Sequence, residues 1–590
     1  MLAALLPRPS GGLRVVKIAL SLVAGYAQAL SMAWPQGLSA PWLEALGCRA
    51  GQGFWLLQLL SLCLLAYLLQ SARRSAQSAG LEQAWSTPAL TYGYLFALAW
   101  LGSVFGWTFV AMNTYGGLSA AVSALAVLAL AAFLGLYYAA ACAIYVRLAP
   151  DKASYQAIFF AALWLLAELA RGLWLTGFGW GGAAYAHADS PLAGYAPWLG
   201  AYGLCALAAW IAMLLAQIFH SRSWRFSGAA LLGIGCLLFL PMVGSWLLPA
   251  MSSSNGRLTV TLLQGNIAQD QKFEPGSGVP RALQWYGEQL QQAKTDLVLA
   301  PETAIPLLPQ QLPEGYAAAL SRRFSDGEQA ALIGIPLGDL EQGYTNSVLG
   351  LRPGEPVPWR YDKHHLVPFG EFIPTGFRWF TQLMSIPLGD FTRGALGQAG
   401  FAWRGQRLAP NICYEDLFGE ELAQQFLVAA KAPSIFVNVS NLAWFGGSLA
   451  MDQHLQIARL RALEFHRPFL LATNTGLTAI VDHQARVLSQ LPRDTAAVLI
   501  GEVEGRTGTT PYAWWVARFG LWPYWLAATI VLLWRWRQDQ MRRQPGTIRP
   551  THGAGIGILH ILPIRTPPAF FLIPLSGTPT AVNSCVSSRY

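Results

Sequence analysis

Of the seven cysteines in this 590-residue chain, Cys413 alone falls between residues 257 and 504. It stands in Pro410-Asn411-Ile412-Cys413-Tyr414-Glu415-Asp416, where an apolar strand ends and a helix could begin. Unpaired N–H groups and the helix dipole at such a junction favour a thiolate. A lone cysteine is otherwise most often a small buried hydrophobe, and spacing alone leaves both roles open. A thiol nucleophile needs a base and something to hold the oxyanion formed on attack. Glu302 closes a short apolar run in Leu299-Ala300-Pro301-Glu302-Thr303, and Lys363 lies in Tyr361-Asp362-Lys363-His364-His365-Leu366-Val367-Pro368-Phe369-Gly370-Glu371. Each alone reads as a solvated charge at a strand end. Together, a strand-end carboxylate, a lysine and a strand-end cysteine can converge on one edge of a layered sheet.

The elements that must position them lie between Arg257 and about Glu504, where charged residues return after a long apolar region. Arg257–Leu263, Asp296–Ala300, Ala331–Pro336, Ala409–Cys413, Ser434–Val439 and Phe469–Thr473 read as buried strands. Val279–Ala293 and Asp452–Phe465 read as amphipathic helices between them. This alternation predicts one α/β domain of layered sheets over 257–505.

The rest of the chain is of another kind. Hydrophobic residues make up 54% and charged residues only 12%, against roughly a quarter charged in soluble domains; mean hydropathy is +0.37. An ordinary soluble enzyme and a disordered chain are both excluded. Runs long enough to span a bilayer cover about Val15–Ala33, Phe54–Leu69, Tyr92–Met112, Leu118–Val146, Gln156–Phe178, Gly194–Phe219 and Ala229–Leu248. They predict a membrane domain of seven helices over 1–250. An eighth span is expected over 514–534, followed by a weakly ordered cytoplasmic tail at 544–590. Ala27-Gln28-Ala29 is compatible with signal-peptidase cleavage, but the long apolar run and the span that follows soon after favour an uncleaved anchor.

Basic residues set the orientation. Arg8, Arg14 and Lys17 flank the first span on its N-terminal side; Arg73 and Arg74 follow the second, Arg147 and Lys152 the fourth, Arg222 and Arg225 the sixth. Arg535, Arg537, Arg542 and Arg543 follow the eighth, while the alternate loops hold almost none. Both termini are therefore expected in the cytoplasm, with the α/β domain on the opposite side.

The net charge of +9 comes with no basic face interleaved with aromatics, so nucleic acid is not an expected partner. His364, His365, His454, His466 and His483 lack a ligand spacing such as H-E-x-x-H, and no metal is expected. Glu168 and Arg171 share one helix face inside the fifth span. They are either a mutually neutralised pair or a site where Arg171 meets a lipid phosphate.

The segments around Glu302, Lys363 and Cys413 resemble the Glu-Lys-Cys triad of the nitrilase (carbon–nitrogen hydrolase) superfamily. The fuller resemblance is to its membrane-embedded branch, the apolipoprotein N-acyltransferases. It extends to Leu263-Gln264-Gly265-Asn266-Ile267, Asn438-Val439-Ser440-Asn441, Ala443-Trp444-Phe445-Gly446, and Arg459-Leu460-Arg461-Ala462-Leu463-Glu464 followed by Arg467-Pro468, and covers about residues 10–540. Phe273 stands where that family often has Trp, in a loop over the active site, and Leu442 where it often has Asp.

The resemblance implies a multi-pass helical membrane domain with an αββα sandwich in the periplasm, anchored in the bacterial inner membrane. It also implies a two-step acyl transfer without a cofactor. Cys413 would take an acyl chain from a phospholipid (phosphatidylethanolamine) as a thioester, and pass it to the N-terminal amine of a diacylated apolipoprotein. Glu302 would move the protons, and Lys363 with a backbone N–H at Cys413 would hold the oxyanion. Glu371, Tyr414, Glu415, Asn438 and Phe273 match supporting or substrate-contacting positions, and a monomer is expected. Phe369, Phe372, Trp444 and Phe445 would line an apolar site or serve as core aromatics. The alternatives are a membrane-tethered amidase acting on small C–N substrates and a transporter or receptor, for which no internal repeat speaks.

Overall fold

The computed structural model describes residues 11–543, apart from 39, 46, 81–85, 222, 248–249, 340, 342 and 378–390. The expected tail at 544–590 and the end of the seventh span at Leu248 lie outside the described residues.

Seven helices carry the apolar runs that precede the α/β domain. They are α1 (Gly11–Met32), α2 (Trp55–Ser78), α3 (Thr87–Val104), α4 (Ala120–Leu148), α5 (Ala153–Leu173), α6 (Ala196–His220) and α7 (Trp224–Leu247). Among the described residues, six helices are long and apolar enough to cross a bilayer by themselves, and two further pairs pass only when a bent pair is taken together. The predicted third span, Tyr92–Met112, is one such pair: α3 ends at Val104, and the chain restarts at Thr108 after a 60° bend. The predicted fifth span stops early, because α5 gives way to a turn in which Leu175 (φ 54°) and Thr176 (φ 74°) are left-handed. Non-glycine residues rarely adopt that conformation, and it ends the helical ladder. α6 is broken at Gly200 (φ 61°), where a Cβ would sit 2.2 Å from the Tyr512 ring.

Two six-stranded sheets follow. The first is ordered β12-β1-β2-β3-β4-β5, from β1 (Ser253–Gln264), β2 (Leu297–Ala300), β3 (Ala330–Asp339), β4 (Gly343–Leu351), β5 (Trp359–Asp362) and β12 (Ala497–Thr507). The second is ordered β11-β10-β9-β8-β7-β6, from β6 (Phe401–Trp403), β7 (Gln406–Ile412), β8 (Ile435–Ser440), β9 (Phe469–Thr473), β10 (Ala479–Val481) and β11 (Val487–Gln490). β1, β2 and β3 are parallel, as are β7, β8 and β9. These central strands are the ones whose apolar runs mark them in the sequence, as strands covered on both faces must be.

The core explains the layering. Leu258, Val260, Leu262 and Leu299 of the first sheet meet Leu408, Ile412, Val437 and Leu470 of the second. The other face of the first sheet is covered by α8 (Gly278–Gln292) and α9 (Tyr316–Ser325), through Tyr286, Leu290 and Phe324. The other face of the second is covered by α10 (Ala450–Phe465), whose Met451, Leu455 and Ala458 belong to the same apolar cluster as Leu165 and Leu169 of α5. The result is an αββα sandwich whose outermost helix is shared with the membrane helices. α10 is buried along nearly its whole length. Gln453 Oε1 accepts the indole N–H groups of Trp107 and Trp180 (3.1 and 2.7 Å), Arg459 pairs with Asp189, and Glu464 Oε1 accepts the Ala201 N–H left free by the break at Gly200 (2.6 Å).

The expected final span also differs. α11 (Pro511–Phe519) and α12 (Trp522–Arg543) meet at 83° across Gly520 (φ 54°). Only the part from Trp522 onward forms the long helix; the residues from Trp514 to Phe519 belong to a short helix lying across its axis.

Candidate active site

β2 and β7 end on the same side of the sandwich, and their C-terminal ends deliver Glu302 and Cys413. Cys413 caps β7 in the left-handed region (φ 56°) and opens a single 3₁₀ turn, Cys413–Leu417. A strained backbone at this point lifts a side chain off the strand line. The expected helix is therefore absent, and with it the dipole that would favour a thiolate. Burial, followed by the Glu302 carboxylate, pushes the Cys413 thiol well above its ordinary range, with Lys363 pulling the other way. These influences together favour the protonated thiol over the thiolate.

Lys363 follows β5 and is 1% exposed. Its Nζ lies 2.9 Å from Glu371 Oε1 and 3.4 Å from Glu302 Oε1. Burial opposes its charge, but Glu371 and Glu302 outweigh it and hold the ammonium well above its usual range. Asn346 on β4 donates to both carboxylates at 2.7 Å, and the Asn441 N–H donates to Glu302 Oε2 at 3.0 Å. Glu302 is thus held by a lysine, a side-chain amide and a main-chain N–H, and it keeps a defined orientation toward the thiol that feels its charge.

The loop after Lys363 is pinned from the nucleophile's own turn. Glu415 accepts the N–H groups of His364 (2.7 Å) and His365 (3.0 Å) on one oxygen, and the Ile412 N–H (2.6 Å) and Tyr361 hydroxyl (2.9 Å) on the other. Burial still pushes the Glu415 carboxyl up to about 7. Tyr414 donates its hydroxyl to Leu366 O at 2.7 Å, and its ring lies 5.8 Å from Lys363 Nζ. Glu371 Oε2 accepts the Val367 N–H at 2.8 Å. His365 stacks on Phe418 at 3.6 Å and its Nε2 meets Thr176 O at 3.0 Å, which ties this loop to the left-handed turn after α5.

Behind the thiol, Asn438 Nδ2 donates to Cys413 O at 2.7 Å. His454 on α10 faces the same carbonyl (3.4 Å) and Asp416 (3.1 Å), and stacks on Trp180. Burial disfavours its imidazolium, but Asp416 outweighs that and raises its pKa.

Other predicted residues lie elsewhere. Phe273 is 46% exposed beside the site. Trp444 packs edge-on against Tyr115 and Phe445 against Trp107, so both contact the membrane helices. Arg171 is buried beside Glu168. It is 1% exposed, and its guanidinium donates to Tyr138 (2.8 Å), Phe178 O (2.6 Å), Trp180 O (2.7 Å) and Glu168 (2.7 Å). Glu168 is 2% exposed, and the two form a buried ion pair.

Sequence reasoning missed Lys272. It is 1% exposed, and its Nζ donates to Glu302 O at 2.9 Å. Burial lowers it to about 8. Its loop is also tied by Gln269, which accepts from Asn441 Nδ2 at 2.7 Å. A lysine in a polar loop carries no local signal of this kind, and Asn346 was missed because β4 itself was not read. Among the described residues there is no cluster of three metal-ligating side chains.

The arrangement can deprotonate a thiol, hold an oxyanion beside a fixed ammonium, and return the proton to a leaving group. Comparison with known proteins gives the family. The Carbon-nitrogen hydrolase family matches residues 259–512, and the Apolipoprotein N-acyltransferase N-terminal domain matches residues 45–214. A relative from Verminephrobacter eiseniae named apolipoprotein N-acyltransferase is 53% identical over 89% of this chain and 97% of its own length. Relatives of the same name from Ralstonia nicotianae (42%, covering 81% and 88%) and Nitrosomonas europaea (38%, covering 81% and 92%) agree along the same region. With an N-terminal membrane-helix region, a carbon–nitrogen hydrolase sandwich and full-length relatives of one name, the chain belongs to the apolipoprotein N-acyltransferase family.

Proposed function

We infer that this integral membrane enzyme acylates the N-terminal amine of a lipoprotein's diacylglyceryl-cysteine through a thioester on Cys413, with Glu302 as the proton carrier and Lys363 as the oxyanion holder. The carrying observation is the Lys363 ammonium, 3.4 Å from Glu302 and 2.9 Å from Glu371, whose charge also acts on the Cys413 thiol.

Because the thiol is neutral, attack and proton removal go together. Glu302 takes the thiol proton as sulfur attacks the sn-1 ester carbonyl of a phospholipid donor, phosphatidylethanolamine in this reading. Lys363 and a backbone N–H at Cys413 hold the oxyanion. The ester C–O bond breaks, Glu302 protonates the departing lysophospholipid oxygen, and the acyl chain remains on sulfur. The lipoprotein amine then attacks the thioester, Glu302 accepts its proton, and sulfur leaves to be reprotonated. An amide and a free thiol result.

Lipid substrates account for the joining of the sandwich to the bundle through α10, since the site must open at bilayer level. The names of the full-length relatives favour an amine acceptor over water, and so over a small-molecule amidase. The bias of Arg and Lys toward alternate loops supports a periplasmic catalytic domain over 257–505, a membrane domain over 1–250 and an inner-membrane location.

Intact-protein mass spectrometry after exposure to phosphatidylethanolamine tests the reading. The wild type should gain one acyl mass and lose it on adding a diacylated lipopeptide amine, while Cys413→Ala gains none. Acylation of Cys413→Ala to the same extent would sink it.

A further inference from the structure

At the opposite end of β7 from Cys413, the sandwich holds a cavity of about 620 Å³ lined by Arg352, Arg404, Arg407, Arg467 and Arg506. Among the described residues no carboxylate lines it. Glu355, Asp296 and Glu504 pair with Arg352, Arg404 and Arg506 from outside the lining. Arg407 and Arg467 have no carboxylate partner among the described residues. Arg407 donates to Ala430 O, and Arg467 to the carbonyls of Pro433, Phe465, His466 and Gly508.

Five guanidinium groups therefore face three carboxylates, an excess of two positive charges around one cavity. Arg467 is 1% exposed, and burial together with Arg506 pushes it down to about 9, so it stays cationic near neutral pH at a cost. A buried cation without an anion is an unfavourable arrangement that an anion in the cavity would relieve. Arginine is the residue suited to grip phosphate oxygens in pairs. Asn255, Gln406, Ser434 and Thr507 add neutral hydrogen-bonding groups to the lining.

The position is informative too. Thr507 ends β12, and Thr510 caps α11 three residues later. α11 carries the half-exposed Trp514 and Phe519 and turns by 83° into α12, the arrangement of a helix lying in a membrane interface with aromatic anchors. Gly508 of the cavity lining thus stands three residues before Pro511, where this helix begins.

We propose that this cavity is a phosphate-binding site, separate from the catalytic centre, that takes the glycerophosphate headgroup of an anionic phospholipid. Its volume exceeds what a lone phosphate needs, and its surplus of charge fits an anionic rather than a zwitterionic lipid.

The test uses the full chain in neutral detergent and in phosphatidylcholine nanodiscs with or without phosphatidylglycerol, comparing wild type with Arg407→Gln/Arg506→Gln by thermal unfolding. Glycerol 3-phosphate at fixed ionic strength should raise the wild-type midpoint, and the double variant should need about ten-fold more of it or respond not at all. Phosphatidylglycerol should stabilise the wild type more than the variant. Stabilisation by glycerol 3-phosphate alone, without a lipid effect, would keep the phosphate site and overturn its lipid source. Equal responses of the two proteins, or no response of the wild type to either probe, would overturn the site. Should the double variant fail to fold, the exposed rim variant Arg404→Gln gives the same comparison.

Discussion

Glu415, two residues beyond Cys413, accepts the main-chain N–H of Ile412, one residue before it, at 2.6 Å. The same carboxylate holds His364 and His365 directly after Lys363. One side chain thus fixes the spacing between the nucleophile and the ammonium group. Glu415→Gln replaces one acceptor oxygen by a donor and leaves two of four buried partners unmatched, each costing about 1–3 kcal/mol. We expect kcat to fall by on the order of ten- to hundred-fold with KM little changed, read from steady-state acylation of a lipopeptide. A variant with wild-type kcat would refute the spacing role.

The neutral state of Cys413 predicts slow alkylation. Its raised pKa leaves little thiolate near neutrality, so the rate of iodoacetamide labelling should still climb with pH beyond the ordinary thiol range. Lys363 is the cation that lowers this pKa, and Lys363→Met should therefore slow labelling further at every pH. Peptide mass spectrometry separates Cys413 from the exposed Cys236. Fast labelling near neutral pH would mean a thiolate at rest, and a different first step.

Lys272 predicts an alkaline limb. Burial places its ammonium at about 8, so above that pH the proton leaves and the bond to Glu302 O loses its charge assistance. Activity should decline above about pH 8 in the wild type. Lys272→Arg should move the decline upward, and Lys272→Met should be slow and flat across the same range. A pH–rate profile of kcat/KM decides the matter, because a merely structural lysine would leave its shape unchanged.

Much of this site is legible in the sequence because its main residues sit at the ends of buried parallel strands. Apolar runs such as Leu297–Ala300 and Leu408–Ile412 announce themselves, and Glu302 and Cys413 follow their last apolar residues. β4, β5, β6, β10, β11 and β12 do not: β11 (Val487–Gln490) is largely exposed, β10 is only three residues long, and β4 interleaves Thr345, Asn346 and Ser347 with its apolar residues. Lys272 and Asn346 were hidden for a related reason. Their burial comes from long-range packing against Glu302, and nothing in a window of neighbouring residues distinguishes such a lysine from a solvated one. The membrane spans were legible as lengths but not as straight helices, because the breaks at Leu175, Gly200 and Gly520 are local backbone choices inside otherwise apolar stretches.

Arg171 separates the two roles its sequence position allows. Its N–H groups are spent on Glu168, Tyr138 and the carbonyls of the chain that follows α5. That chain includes Trp180, which stacks on His454 behind the nucleophile. Arg171→Met removes the cation from a fully buried pair and strands Glu168, a change of about 3–5 kcal/mol by analogy with other broken buried pairs. The unfolding midpoint in detergent should fall by several degrees. Protein that remains folded at low temperature should keep its KM for phospholipid, because the donors of Arg171 are taken up by Glu168, Tyr138 and main-chain carbonyls. A raised KM with an unchanged midpoint would restore a lipid-phosphate contact and remove the structural role.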